Sequence, residues 1–464
     1  MVSKLPTTPA LAIPEIVSLI GEFIPLWSHH FYFDYKFEPA ALLRLSRVCR
    51  TWHQALQPII WRVYCHDSMH DVPEDVLTRN SFFFRTIYYR IQPSSPSWTE
   101  AAPFNQVRRI SFAGNNEIIY RLLDRIGTVT HLEWHSVFKD LPDTTRVLRS
   151  ISPTLTHLRL ANWTTLRYHQ LLDILGSLPR LHSFSLTTTS KDISNMSEAP
   201  FPITSLPIKE LEWIQEQEQI PSTDSLFFDH FIQCCPFLEQ FALVATMPET
   251  DRMPPIFHDQ SLTKAVAWAR RFCPQLQTLI VRSPSDKEAK YSATIAVAGP
   301  HLNGLLALDA SIKFVDDSLV SMLMLETASL QSLRLECLEY KKASRGAELL
   351  LQAVLSPEFE VLRFLHFKSH YRFTKEQKYM LFDTEWRCLN LEALTLEGLW
   401  SSDEYESPIE QDDMSDGAKS SWKAKSQRKS RNRKRMGGCG RGHGHGHGPS
   451  GGLPELKTLS LGGV

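Results

Sequence analysis

The chain lacks most of the marks that would place it at once. No apolar run approaches the ~18 residues needed to cross a bilayer. The opening MVSKLPTTPALAIPEI has one Lys and no continuous apolar core, so it reads as a poor secretory signal. No Gly-rich loop ending in Lys-Ser/Thr follows a strand pattern, and HExxH and GxSxG are missing, which leaves no nucleotide, zinc-protease or serine-hydrolase signature. The eight cysteines form no CxxC pair and no regular framework, the usage of a reducing cytoplasmic or nuclear protein. Neither charge sign dominates: 50 basic against 51 acidic side chains give a net charge of −1, so nothing global points to nucleic acid or a membrane surface. What is present is globular: 42% hydrophobic and 22% charged over 464 residues, room for roughly three average domains or one long repeat array with a small module.

The first sixty-five residues predict three short helices. In IPEIVSLIGEFI (13–24), Ile13, Ile16, Leu19, Ile20 and Phe23 share one helical face, and Pro14 and Glu15 suit a helix start. AALLRLSRVC (40–49) is the second, and RTWHQALQPIIW (50–61), closed by Pro58, the third. Their apolar residues exceed what about 50 residues can hide, so a face is left for a partner or for the rest of the chain.

The order Ile13-Pro14-x-Ile16, Leu42-Leu43-x-Leu45-x-x-Val48-Cys49-Arg50-x-Trp52 and Pro58-x-x-Trp61 resembles an F-box. Ile13 for Leu, Glu15 directly after Pro14 and a long loop at 25–38 depart from that family's pattern. The resemblance implies docking onto the Skp adaptor of a cullin–RING ubiquitin ligase through Pro14, Ile16, Leu19, Leu42, Leu45, Val48 and Trp52. The loop 25–38 carries six aromatics, expected to pack on the C-terminal remainder of the chain or to form a second contact surface.

From residue 107 a phrase recurs: apolar, two others, apolar, one other, apolar. Its middle apolar falls at Ile110, Leu132, Leu158, Phe184, Leu211, Phe241, Leu279, Leu305, Leu333, Leu365, Leu394 and Leu459. Apart from the last, the intervals run from 22 to 38 residues. Alternation inside the phrase predicts a short strand with one buried face. Helical spacing between phrases, as in 166–178, 225–235, 261–273 and 316–326, predicts a return helix. This organisation resembles a leucine-rich repeat, a parallel α/β solenoid. The family's Asn or Cys three positions past the last Leu is replaced by Val137, Trp163, Leu338 and Leu399, which predicts irregular curvature and backbone groups satisfied case by case.

The expected layout is a tail (1–10), the F-box (11–66), a connector (67–106), the solenoid (107–400), an insertion (401–452) and a last repeat strand (453–464). The insertion holds seven acids and no base over 403–416, ten bases and no acid over 419–441, then GHGHGHG, a composition that predicts disorder. RKSRNRKR (428–435) reads equally as a nuclear import signal, a weak phosphate patch or a solubilising stretch. His443, His445 and His447 are too few and too loosely held for a metal site, so no metal or other cofactor is expected. Cys234-Cys235 is expected to be a buried structural pair rather than a nucleophile.

Strand alternation places Glu133, Arg159, Glu212, Arg334 and His366 on the open sheet face as candidates for holding a target protein. The functional expectation is a non-enzymatic adaptor. The F-box meets Skp and, through it, cullin and RING subunits, while the sheet face holds a target for ubiquitination. The alternatives are a non-degradative scaffold and a nucleic-acid-associated factor acting through 419–441.

Overall fold

The structure is a computed structural model. It describes residues 13–24, 27–29, 35–89, 102–113, 117–135, 144–161, 168–188, 205–215, 230–245, 269–282, 303–312, 319–321, 323, 329–337, 361–369, 390–397 and 458–462. Its centre is one fourteen-stranded sheet, β3 to β16 in unbroken sequence order. Every pairing is parallel. The strands are β3 (Val63–Cys65), β4 (Thr86–Tyr89), β5 (Arg109–Ala113), β6 (His131–His135), β7 (His157–Ala161), β8 (Ser183–Thr188), β9 (Glu210–Gln215), β10 (Gln240–Ala245), β11 (Thr278–Arg282), β12 (Ala307–Ile312), β13 (Ser332–Cys337), β14 (Phe364–Ser369), β15 (Ala393–Glu397) and β16 (Thr458–Gly462). Where return helices are described (Glu117–Arg125, Thr144–Ile151 and Tyr168–Gly176), they lie on the buried side of the sheet. Leu123, Val147, Leu148, Ile151, Leu171 and Leu175 from them join one core with the inward strand residues. The fold is thus the expected parallel α/β solenoid, each repeat burying the face its neighbour cannot cover alone.

One backbone device sets the repeat. The carbonyl two residues before each strand's middle apolar accepts two N–H groups from the next repeat. Arg85 O accepts from Arg108 N (2.9 Å) and Arg109 N (3.1 Å), Arg108 O from Thr130 N and His131 N, and the pattern runs on to Arg363 O with Glu392 N and Ala393 N. On this side of the strands the backbone is satisfied by one regular rule. The expectation for Val137, Trp163, Leu338 and Leu399 falls outside the described residues.

Three expectations are corrected. The sheet begins at Val63, inside the stretch assigned to F-box and connector, and β4 lies within 67–106. β4 carries the phrase itself, as Phe84-x-x-Ile87-x-Tyr89, one repeat before the start assigned at 107. LNGLLA was read three residues too early: Leu308, not Leu305, pairs with Leu279 and Leu333. Gly304, at φ 83°, belongs to the turn before that strand, where a left-handed backbone favours glycine. Pro58 does not close the third helix, which runs Arg50–Ile60. Its missing N–H costs one bond in the last turn, and burial of Ile59 and Ile60 outweighs that loss.

The helices α1 (Pro14–Glu22), α2 (Ala40–Leu45) and α3 (Arg50–Ile60) form a second, small core of Val17, Leu42, Leu56, Ile59 and Ile60. Between α1 and α2, β1 (Trp27–His29) and β2 (Tyr35–Phe37) pair antiparallel. Trp61 touches both cores. Gln57 Nε2 donates to Asn80 Oδ1 at 3.0 Å, and Arg62 pairs with Glu22 at 2.9 Å, so the helices are joined to the start of the array. The segment 401–452 lies outside the described residues, as do the helices expected at 225–235, 261–273 and 316–326 in large part.

Candidate protein-interaction surfaces

The first surface is on the small helices. Val17 and Gly21 face inward, one turn apart. This leaves Leu19 55% exposed on α1 and Phe23 80% exposed just past its end, with Leu43 on α2 and Val48 after it also exposed. Of the residues the F-box resemblance singles out, Pro14, Leu19 and Val48 are exposed, and Ile16, Leu45 and Trp52 are half-buried. Leu42 is different: it is fully buried in the small core and holds the helices together instead of facing outward. The sequence pattern could not separate these roles, because interior and surface positions on a short helix are both apolar here.

The second surface is the open face of the sheet. Leu158, Leu211 and Leu333 are buried, while Arg334 is exposed and Glu133, Arg159, Glu212 and His366 are half-buried. Register sets the candidates side by side: Glu133 opposite Arg159, Asp309 opposite Arg334, Arg334 opposite His366. Two polar fields result. Around β5–β9, Glu133 Oε1 lies 3.0 Å from His135 Nε2 and 3.6 Å from Arg159 Nε, and Ser185 Oγ donates to Glu212 Oε2 at 2.7 Å. Around β11–β15, Asp309 meets Arg282 at 2.5 Å and Arg334 at 4.0 Å. Lys368 meets Glu336 at 2.5 Å, and His366 Nε2 lies 3.8 Å from Glu397. Between the fields, β10 offers the buried Ala242 and β11 the half-buried Ile280. Asp309, the carboxylate shared by two arginines, was missed because the misread register of LNGLLA placed Ala307 at the end of the phrase. The spacing Leu305-x-x-Leu308-x-Ala310 contained the signal.

Electrostatics mark Glu133 as a structural anchor of its field. Burial pushes its carboxyl up, but the His135 hydrogen bond, the Arg159 charge and a Ser111 hydrogen bond outweigh it and hold the group at about 2. A depressed carboxylate stabilises the fold fully above its unfolded value near 4.5, and that contribution is lost as pH falls toward 2. Glu133→Gln should therefore cost on the order of 2 kcal/mol at pH 7, and the gap to wild type should shrink at pH 3. Urea midpoints at the two pH values read this directly; an equal gap at both would refute the assignment.

Three cysteines form one buried cluster. Cys234, Cys235 and Cys273 are buried together, and Cys273 Sγ lies 3.2 Å from the Cys235 carbonyl. Burial raises Cys235 well above its ordinary value and pushes Cys273 up to about 12, so neither is a thiolate. Among the described residues no three His, Cys, Asp or Glu side chains converge as a metal would need.

A short phrase repeated strand by strand, a single parallel sheet in sequence order and helices covering one face together decide the architecture. The array is a leucine-rich-repeat solenoid. No family model matches the chain, and no curated protein matches it. Among solved structures, the leucine-rich repeat-containing protein LegL7 from Legionella pneumophila is similar at 14% identity and a TM-score of 0.37, over 63% of this chain and 91% of that one. A chain of the TLR13–ssRNA13 complex is similar at 13% identity and a TM-score of 0.31, over 67% of this chain and 49% of that one.

Proposed function

We propose that this chain is a non-enzymatic adaptor. The three N-terminal helices dock on a Skp adaptor and through it on cullin and RING subunits. The open sheet face of the solenoid holds a target protein for ubiquitination. The observation that carries the docking reading is the outward apolar face of the helices, where Leu19, Phe23, Leu43 and Val48 stay exposed although their own core is complete. A rigid sheet with charges preset in two fields supports the target-holding reading, because its side chains lose little freedom on binding. The effect is proximity: tethering raises the effective concentration of the target at the ligase, with ubiquitin transferred by other subunits.

Leu19→Asp with Val48→Asp tests the docking half. Both residues are exposed, so the helices should fold, whereas buried interface anchors typically cost 2 kcal/mol or more, about thirtyfold each. Affinity purification of wild type should recover Skp and cullin subunits, and the double variant should lose both. Equal recovery from the two would refute Skp docking and leave the second reading, a scaffold that holds its partner without degradation. Asp309→Ala with Arg334→Ala, read in the same purification, should release targets while Skp stays.

A further inference from the structure

We propose that the strand-start end of β4–β7 is a docking surface for an acidic segment of a partner protein, formed by Arg109, His131 and His157 on the open face and by Arg85 and Arg108 in the residues that lead into β4 and β5. The inference deepens the reading of the array as a protein-binding scaffold, on which it rests, and is independent of Skp docking.

The repeat itself brings these residues together. Arg85 and Arg108 occupy equivalent positions in successive repeats, tied by the Arg108 N to Arg85 O bond. Their side chains therefore leave the backbone about one strand spacing, ~4.8 Å, apart. Arg109, His131 and His157 stand in register across β5, β6 and β7. The imidazoles of His131 and His157 stack with centroids 3.9 Å apart and planes 9° apart. Arg85, Arg108 and Arg109 are exposed. Arg108 reaches only the neutral carbonyls of Asn105 and Val107, and among the described residues no carboxylate pairs with any of the three. The neighbouring Arg62 is already matched by Glu22, which closes the patch on that side.

The hydrogen bonds orient the two rings for an anion. Thr130 Oγ1 donates to the Arg108 carbonyl and lies 2.9 Å from His131 Nδ1. Thr156 Oγ1 donates to the Thr130 carbonyl and lies 2.8 Å from His157 Nδ1. A hydroxyl has one proton, so with that proton on the carbonyl each Nδ1 carries its own and donates to the threonine. Each Nε2 is then the free nitrogen and takes the next proton. Two stacked imidazoliums repel, and a carboxylate bridging both Nε2–H groups relieves that repulsion. The charged groups facing the pair from neighbouring strands fit this. Burial first, then the opposite ring and Arg109, lowers His131; burial, His182 and Arg109 lower His157 against the pull of Glu210. Glu133 is engaged by His135 and Arg159 instead. Acid-peptide binding and proton uptake are therefore linked, and affinity rises as pH falls.

The flanking carboxylates choose the class of partner. Glu133, Glu210 and Glu212 lie on β6 and β9 along the same face, where they would repel a phosphate backbone laid across the strands. A short run of Asp or Glu confined to the starts of β4–β7 avoids Glu210 and Glu212 on β9, whereas a long polyanion laid across the strands meets them.

The test is fluorescence anisotropy with the full-length chain and a labelled Glu-Gly repeat peptide, at about pH 7.5 and about pH 5.5. A Lys-Gly repeat peptide and oligodeoxythymidine of equal length serve as comparators. We expect the acidic peptide alone to bind, more tightly by several-fold at the lower pH. Arg85→Glu with Arg109→Glu should weaken it at least about tenfold, and Arg85→Gln with Arg109→Gln should weaken it less, each with an unchanged melting temperature. His131→Gln with His157→Gln should keep the affinity near pH 7.5 and lose the gain at pH 5.5. The proposal is overturned by absent binding, by indifference to both arginine pairs, by a flat pH profile in wild type, or by oligodeoxythymidine binding as tightly as the peptide. Skp recovery from the same preparations reports separately on the adaptor reading, so the two can fail independently.

Discussion

Leu333→Asp is expected to destroy the C-terminal half of the array, while Arg334→Ala next to it changes almost nothing. Leu333 is 1% exposed and stands between Leu308 on β12 and Leu365 on β14 in the continuous core. Replacing it removes a buried leucine, which costs about 2–5 kcal/mol, and leaves a carboxylate in a core that has no buried cation among the described residues. The sum is of the order of a whole domain's stability. In a solenoid each repeat leans only on its neighbours, so the loss spreads to β12 and β14 before it reaches the N-terminal strands. Arg334 has half its side chain in solvent and sits 4.0 Å from an Asp309 that Arg282 already holds. Such a pair contributes at most a fraction of a kcal/mol after solvent screening. Soluble yield and circular-dichroism melts decide the matter, and comparable destabilisation by both variants would overturn the register.

Gly21→Val should unfold the three-helix unit and leave the solenoid standing. Helix propensity alone gives the opposite sign, because glycine inside a helix costs up to about 1 kcal/mol relative to a residue with a side chain. Packing decides against propensity here. A Cβ on residue 21 would stand 2.5 Å from Leu56 Cδ2 and 2.8 Å from Ile59 Cδ1, both in the small core. Overpacking a filled core costs about 1–3 kcal/mol, and a unit built on five buried apolar side chains has little to spare. The main core of the sheet is a separate cluster that meets this one through Trp61, so its strands should keep their protection. Hydrogen exchange over α1 and α3 against β6–β9 is the measurement. Unchanged exchange in α1 and α3 would mean that the helices do not pack at Gly21.

The two substitutions show where the sequence could be read and where it could not. Leu333 was assignable from one phrase, because strand alternation has period two and the flanking repeats confirm the frame. Gly21 gave no such signal. Its role comes from the approach of α3, a contact 35 and 38 residues away in the chain at Leu56 and Ile59. The same distinction separates Leu42 from Leu19. Both are leucines in short amphipathic segments, and only the position of the third helix makes one an interior residue and the other a surface one.

The sequence by itself determined the solenoid: a local phrase, repeated at a nearly constant interval, is enough to specify strand, buried face and parallel order, since every repeat contacts only the next. It also determined which side chains stand on the open face, apart from the one misread frame that hid Asp309. Only the tertiary structure decided which of those side chains meet. Arg159 reaches Glu133, Asp309 is shared by Arg282 and Arg334, and His131 stacks on His157, because parallel register brings residues some 25 to 30 positions apart to within a strand spacing. It likewise decided that the sheet starts at Val63, where the three-residue β3 lacks the full phrase and is held by pairing with β4. Periodicity is written in consecutive residues, whereas side-chain partnership depends on the lengths of the connections between strands, and no local pattern records those.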